Sequence, residues 1–248
     1  GTAGIPVGES ESLTISAVYA AVNAISSDVA KVPLHLYKKT KTGKERVDGD
    51  LDYIVNIRPN PLMSSMDFRQ TMTQFVLLWG NAFAEILRDI DGNVRAIYPI
   101  HPSYVECKQH NSETIYKIKI RGEIYYLDQK DMLHIKGMGN GVVGKSVISY
   151  ASQSLGTIIA IDKFAGNFFG NGASPGGYVQ VDGELSQGSK DNLMRRIREK
   201  HTGIGNSHKI MLLEHGIKFS PAQVNPEDSQ LLESRQYSIS DISRWFRV

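Results

Sequence analysis

Three glycines in the middle of the chain are spaced as in a phosphate-binding turn. The pattern Gly139-x-Gly141-x-x-Gly144 lies between a predicted strand and a predicted helix, which is the local setting of a dinucleotide-binding turn. Against that function, the strand belongs to an antiparallel meander, and no acidic residue ends a second strand about 20 residues further on. Asp162 has this separation but lies inside the predicted helix. A tight structural turn is the favoured interpretation, and a nucleotide-binding enzyme is the alternative.

The other chemically reactive side chains form no catalytic or metal-binding pattern. The histidines are scattered singly, without the spacing that places two ligands on one helix face. His134 alternates with apolar neighbours and is expected to be a hydrogen-bonded sheet residue. Glu85, Asp89 and Asp91 cluster around a predicted hairpin, where solvated turn carboxylates are expected, because their spacing gives no reason for acid and base roles. The sequence therefore favours a protein that is not an enzyme and has neither cofactor nor metal.

Composition describes a globular chain whose charged functions must be local. The chain has 248 residues, 22% of them charged, and a net charge of +2, which is enough chain for one large domain or two modest ones. No apolar run approaches the roughly 20 residues of a membrane span, so no membrane partner is expected. Residues 1–6 lack the features of a signal peptide, which favours an intracellular origin. The single cysteine, Cys107, allows no internal disulfide and is expected in a partly buried strand position.

Hydrophobic periodicity predicts helices before residue 83 and strands after it. An amphipathic helix capped by Ser12 or Thr14 ends at Pro33. After it come a strand at 34–38, a short helix from Asp50 to the prolines of Arg58-Pro-Asn-Pro61, and a helix over 68–83 capped by 64–67. A hairpin then turns at Asp91-Gly92. Strands at 104–108, 115–120 and 123–127 form an antiparallel meander, and a strand at 132–136 is expected to close the same sheet.

The second half of the chain predicts a long helix, a small inserted module and a final helix. The long helix runs from Ser146 to about Gly170 and is rich in small residues, which permit close approach of several neighbouring helices. The module comprises strands at 178–181, 209–213 and 217–220 around a helix at 189–200, and the final helix starts at Pro226. The module's helix carries a basic cluster: Lys190, Arg195, Arg196, Arg198 and Lys200. A solvated helix face is the usual interpretation of such a run, and a DNA-binding module is a further alternative.

Several strings, in order, closely resemble the portal proteins of long-tailed bacteriophages, the head-to-tail connectors of the phage particle. They are Leu34-His-Leu-Tyr, Arg58-Pro-Asn-Pro, Trp79-Gly-Asn-Ala-Phe-Ala-Glu-Ile-Leu-Arg-Asp-x-Asp-Gly, Ile100-His-Pro, Leu133-His-Ile, Gly141-Val-Val-Gly-Lys-Ser, Asn167-Phe-Phe-Gly-Asn-Gly-Ala and Leu213-Glu-His-Gly. Each string is weak alone, but their order and spacing cover nearly the whole chain. The resemblance implies an α+β portal-type fold with an α/β wing, a helical stem and a small α/β clip.

The resemblance also implies boundaries for these parts. Residues 1–140 correspond to the wing, 141–172 to the first stem helix, 173–225 to the clip and 226–248 to the second stem helix. The family continues with a tunnel loop and a crown and starts with a longer arm, so the chain resembles a piece truncated at both ends. The glycines Gly139, Gly141 and Gly144 then form the joint between wing and stem and bind no dinucleotide.

Roles for the remaining candidate residues follow from the same resemblance. Packing between subunits and around the channel is assigned to Ala151, Ser154, Gly156, Ile158 and Lys163, and the basic clip residues are assigned to partner binding. The implied function is a ring, usually of twelve subunits, at one capsid vertex of the virion, assembled in the host bacterial cytoplasm. Double-stranded DNA passes through the ring without sequence specificity. The implied partners are the large terminase subunit, a head-completion adaptor, the capsid and the scaffold.

Overall fold

A computed structural model describes residues 7–110, 113–170, 177–180, 184–201, 218–221 and 228–248. The chain divides into two compact units. Unit 1 comprises Pro6–Leu155 and Ser240–Val248, and unit 2 comprises Gly156–Ile239. The long helix that follows the glycine turn crosses this division, so its first turns belong to unit 1.

Unit 1 begins with four helices and a small hairpin. The helices are α1 (Glu9–Ser12), α2 (Ser16–Lys31), α3 (Asp50–Asn56) and α4 (Ser65–Trp79), and the hairpin consists of β1 (Tyr37–Lys39) and β2 (Lys44–Arg46). Ser64 caps α4, because its Oγ accepts the Asp67 N–H while the Asp67 carboxylate accepts the Ser64 N–H. The α2 cap prediction was wrong: α2 follows Ile15 without a side-chain cap, and Ser12 belongs to a separate single turn.

Two three-stranded antiparallel sheets complete the body of unit 1. The first has the order β4 (Val94–Ile100), β3 (Asn81–Arg88), β8 (Met132–Lys136), and the second has the order β5 (Val105–His110), β6 (Glu113–Ile120), β7 (Glu123–Leu127). The predicted turn at Asp91-Gly92 is confirmed, and Gly92 takes the left-handed φ of +83° that this turn needs. Cys107 lies half-buried in β5, as predicted.

Strand β3 is buried on both faces, and its side chains alternate between two cores. Ala82 and Ala84 face the helices, in a core with Phe68 and Met72 of α4. Phe83 faces the second sheet, in a core with Ile118 of β6. Alanine on the helical side lets α4 lie close to the strand, whereas phenylalanine fills the wider space between the two sheets.

Two sequence-based predictions fail around this strand. The predicted helix over 68–83 ends at Trp79, because Gly80 adopts a left-handed conformation with φ of +76° and directs the chain into β3. The strand at 132–136 does not close the meander but pairs with β3, from Asn81 opposite Lys136 to Glu85 opposite Met132. Alternating hydrophobicity shows which face of a strand is buried but does not identify its partner.

The string Arg58-Pro-Asn-Pro61 forms a loop that covers the edge of the first sheet at β4. Asn60 is buried, and its Nδ2 donates to the Ile97 carbonyl of β4 at 2.8 Å. The Ile97 N–H in turn donates to the Pro59 carbonyl at 2.8 Å. The loop therefore occupies hydrogen-bonding groups of edge strand β4, which would otherwise be open to another chain.

The described elements that follow are mostly helical. They are α5 (Val147–Gly170), β9 (Gly177–Gln180), α6 (Gln187–His201), β10 (Lys218–Pro221) and α7 (Asp228–Phe246), with β9 antiparallel to β10. The predicted strand at 209–213 lies outside the described residues. Within the described part of the chain, no helix is long and apolar enough to cross a membrane, and no cluster of potential ligands suits a metal ion.

Candidate functional site at the glycine turn before the long helix

The turn that leads into α5 is pressed against the end of α4. A Cβ added to Gly144 would lie 1.8 Å from the Gly80 carbonyl oxygen, and one added to Gly80 would lie 2.3 Å from the carbonyl carbon of Lys145. Gly139 is equally confined, since its added Cβ would lie 2.2 Å from the Val143 oxygen. Only glycine allows this approach of backbone to backbone.

Gly141 has a different reason to be glycine. No atom lies within 4 Å of the position of an added Cβ, but the residue has a φ of +86°. It stands at the tip of the turn, where a left-handed residue reverses the chain. The pattern of three glycines thus combines two positions fixed by contact with one fixed by conformation.

Several backbone N–H groups of the turn donate to acceptors within the protein itself. Asn140 Oδ1 accepts the N–H groups of Val142 and Val143 at 3.0 and 2.9 Å. The N–H of Lys145 donates to the Met138 carbonyl at 2.7 Å, and that of Asn140 donates to the Val143 carbonyl at 3.2 Å. A phosphate-binding turn directs such groups at its ligand. Here these four N–H groups already have acceptors within the protein, which argues against the nucleotide-binding alternative.

Asn81, the first residue of β3, connects the turn to the sheets. Its Oδ1 accepts the Gly144 N–H at 2.7 Å, and its Nδ2 donates to the Gly144 carbonyl at 2.8 Å. The same Oδ1 lies 3.0 Å from Nε2 of His134, and Nδ1 of His134 lies 3.2 Å from the hydroxyl of Tyr116. A continuous hydrogen-bonded network therefore runs from the second sheet, through β8 and β3, to Gly144 at the end of the glycine turn.

The network requires one protonation state of His134. Because Asn81 Oδ1 is an acceptor, Nε2 must carry the proton, which leaves Nδ1 to accept from the Tyr116 hydroxyl. Burial, together with the nearby Lys136 ammonium, lowers the pKa of His134 to about 4. Burial also raises the pKa of Tyr116, which keeps its hydroxyl protonated. His134 is thus a neutral, hydrogen-bonded sheet residue, as the sequence predicts.

Helix α5 starts from this network and is anchored in unit 1. Ser146 donates its hydroxyl to the Leu78 carbonyl of α4 and accepts the Ser149 N–H. About two turns after Ser146, Ser154 Oγ donates to Asp241 Oδ2 of α7 at 2.6 Å. A hydrogen bond to a carboxylate is stronger than one between neutral groups, so this contact fixes the register of α7 against the first turns of α5.

The predicted packing residues of α5 are placed as follows. Ala151 is 2% exposed and Ile158 3% exposed, and Gly156 is also buried. Ser154 is half-buried on Asp241, and Lys163 is exposed. Four of the five therefore contribute to packing within this chain. Among the exposed residues of α5, four repeat at helical spacing, namely Tyr150, Gln153, Thr157 and Phe164; this set is named the α5 stripe.

The basic residues of the inserted module lie on α6. Lys190 and Arg195 are exposed, and Arg195 donates to Asn192 Oδ1 at 2.9 Å. The side chains of Arg196, Arg198 and Lys200 lie outside the described residues. The basic side chains of Lys190 and Arg195 are therefore both on the protein surface.

Sequence reasoning missed Gly80 and Asn81 as members of the turn. Both stand in the string Trp79-Gly-Asn, which carries part of the family resemblance. A glycine followed by asparagine at a helix end predicts only that the helix stops there. The neighbouring residues give no indication of a contact with a turn more than 60 residues away.

Comparisons with known proteins identify one family. The family model described as "Phage portal protein" matches residues 16–248. The chain is 32% identical over 251 residues to a probable portal protein of Streptomyces phage phiC31, and 29% identical over 241 residues to the portal protein of Enterobacteria phage HK97. These matches cover 96% and 95% of this chain but 54% and 57% of the relatives. The chain thus spans about half the length of the curated relatives it matches.

Solved structures share the fold at low identity. A portal protein of the HK97 family from Corynebacterium diphtheriae superimposes with a TM-score of 0.73 at 16% identity, over 95% of this chain and 75% of that chain. A chain in the neck of a native gene transfer agent particle, computed with C12 symmetry, gives a TM-score of 0.59 at 20% identity over 99% of this chain and 70% of that chain. Both confirm the α+β, portal-type fold.

Replacement of Gly144 by alanine is expected to destabilise the fold strongly. The new methyl group meets the Gly80 carbonyl, so the turn must move away from α4, at a cost of about 2 to 4 kcal/mol in the free energy of unfolding. Urea unfolding followed by circular dichroism measures this change. Gly141→Ala is the matched control, because its methyl group enters open space and costs only about 1 kcal/mol of backbone strain. Equal costs for the two variants would contradict the close contact.

Acidification is expected to weaken unit 1 through His134. The ordinary pKa of 6.5 applies to the unfolded chain, whereas the folded value is about 4. The unfolded state therefore binds the proton first, and the free energy of unfolding falls as the pH decreases from 6.5 towards 4, by roughly 1 to 3 kcal/mol. Stability curves from pH 7 to pH 5 measure the loss. His134→Gln cannot titrate and should show a flatter profile, and parallel profiles would exclude His134 as the cause.

Proposed function

The chain belongs to the phage portal protein family, and from that premise we propose that it is a structural subunit of the portal ring at one vertex of a phage capsid. The family is structural rather than enzymatic, and its members are components of the virion. The observation that carries the proposal is the family match over residues 16–248. In this role the ring forms the channel for DNA packaging and ejection, and it is assembled in the host bacterial cytoplasm.

The proposed domains follow the boundaries that the sequence indicates. Residues 1–140 form the wing, 141–172 the first stem helix, 173–225 the clip and 226–248 the second stem helix. Gly139, Gly141 and Gly144 are the joint between wing and stem. The close backbone contacts of the glycine turn support this role, because they fix the direction in which α5 leaves the sheets.

The first stem helix is proposed to form the channel wall. DNA must slide along such a wall, and tight phosphate contacts would oppose sliding. The composition of α5 agrees with this requirement, since Lys163 is its only basic residue. Ala151, Ser154, Gly156 and Ile158 support the wall from within the chain, and the exposed α5 stripe is proposed to face a neighbouring subunit.

The clip is proposed to bind the partners of the ring. They are the large terminase subunit and the head-completion adaptor, and the basic residues Lys190, Arg195, Arg196, Arg198 and Lys200 supply the contact. The exposure of Lys190 and Arg195 supports this assignment. The capsid and scaffold meet other surfaces of the ring, and the gene transfer agent neck with C12 symmetry supports twelve as the subunit number.

Electron microscopy of the protein at its natural length tests ring formation. Closed rings with a central channel are expected, and native mass spectrometry should give a mass near twelve subunits. Tyr150→Glu places a charge in the α5 stripe and should lower the ring fraction by about tenfold or more, since an unpaired charge at a packed interface costs a few kcal/mol.

Tyr126→Glu is the matched control, because Tyr126 is also an exposed tyrosine but lies on β7. It should leave the rings intact. A monomeric wild-type protein would contradict the ring, and equal losses in both variants would contradict the placement of the contact on α5.

Charge reversal in the clip tests partner binding. Arg195→Glu with Arg198→Glu should abolish packaging or tail joining in a complementation assay, because the basic patch would then repel an acidic partner surface. The rings themselves should still form. Packaging and tail joining at wild-type levels would refute the assignment.

A further inference from the structure

The hairpin of β1 and β2 has no buried side chain. All residues of both strands are exposed, and Tyr37 is exposed by 58%. The strands are held by their own pairing and by hydrogen bonds at the two ends, where Thr40 N–H donates to Gly43 and Val47 N–H donates to Leu36. A two-stranded hairpin without a hydrophobic face is marginally stable in water. No residue of these two strands belongs to either of the hydrophobic cores on the two sides of β3.

The hairpin concentrates positive charge. Residues 37–46 contain five basic residues and one acidic residue, a net charge of +4, whereas the whole chain carries +2. The rest of the chain therefore has a net charge of −2. Four of the five basic residues are lysines.

The register places most of this charge on one face. Tyr37 pairs with Arg46, and Lys39 pairs with Lys44, and these four residues share a face because side chains alternate along a strand. The opposite face carries Lys38 against Glu45, a compensated pair. The face of Tyr37, Lys39, Lys44 and Arg46 is named the basic face, and Lys41 lies in the loop at its tip.

Two lysines directly opposite each other are unfavourable in an isolated sheet. Like charges at paired positions repel and destabilise the hairpin. In the described part of the chain, neither Lys39 nor Lys44 has a carboxylate or hydrogen-bond partner, although Arg46 has Asp48 at 3.3 Å. An anionic partner that lies across the basic face would remove this repulsion.

From this arrangement we propose that the β1/β2 hairpin is an arm that binds the phosphate backbone of double-stranded DNA. An acidic protein surface is less suited, because lysine is depleted in protein interfaces, whereas lysine and arginine commonly contact phosphate in DNA complexes. A two-stranded ribbon also has dimensions that fit along a DNA groove. Contacts of this kind position the protein on DNA without reading its sequence.

Fluorescence anisotropy with a labelled duplex of about 30 base pairs tests the proposal on the 248-residue chain. Lys39→Gln with Lys44→Gln should weaken binding by about tenfold or more at 0.1 M salt, and should reduce the slope of log K against log salt by about 2. Duplexes of unrelated sequence should behave alike. Thermal unfolding shows whether the double variant is folded, and its stability should be unchanged or higher because the repulsion is removed.

Lys190→Gln with Arg195→Gln on α6 is the matched control, since it removes the same charge from the other basic segment. It should weaken binding much less. The proposal is overturned by unchanged affinity in the hairpin variant, by equal losses in both variants, or by wild-type protein that binds polyglutamate but no duplex. Ring assembly is not needed for the measurement, so its outcome is separate from that of the ring experiment.

Discussion

The contact between the backbones at Gly80 and Gly144 is the constraint on which the architecture of unit 1 depends. At this point the chain leaves α4 for β3, and 64 residues later it passes the same place before it enters α5. Both passages lack a Cβ, so the two segments approach to a distance that side chains would prevent. The paired hydrogen bonds between Asn81 and Gly144 then fix the registration of the two segments. The start of the long helix is thereby tied to the sheets at several atoms.

Strand β3 extends this constraint into both cores. Its first residue holds the glycine turn, its alanines contact the helices, and Phe83 fills the space between the sheets. His134 on the neighbouring strand links the two sheets through Tyr116. A change in one layer therefore reaches the base of α5 through packed and hydrogen-bonded atoms. The proposed ring would need this property, because a small variation in the angle of one helix would accumulate over the circle and prevent closure.

Much of the fold could be predicted from local signals, and the failures share one physical cause. The cap at Ser64, the turn at Asp91-Gly92 and the three meander strands depend on residues within a few positions of each other. The pairing of β8 with β3, and the role of Gly80 and Asn81 in the turn, depend on contacts across about 50 to 60 residues. Periodicity carries no information about such partners. The same limit applies to Ala151 and Ser154: small residues permit close packing, but the sequence does not distinguish a partner in the same chain from one in the next subunit.

The distribution of charge is a further consequence of how the chain is built. Helix α5 holds one lysine and one aspartate in 24 residues, whereas the β1/β2 hairpin holds a net +4 in ten. A helix that lines a DNA channel must bind phosphate weakly, because every strong contact adds a barrier to movement. The β1/β2 hairpin, whose strand residues are all exposed, has no such restriction, and its lysines are the residues proposed to bind phosphate. The small net charge of the whole chain therefore conceals an uneven distribution of charge among its elements. Basic residues are sparse on the helix proposed for the channel wall and dense on the exposed hairpin proposed to bind DNA.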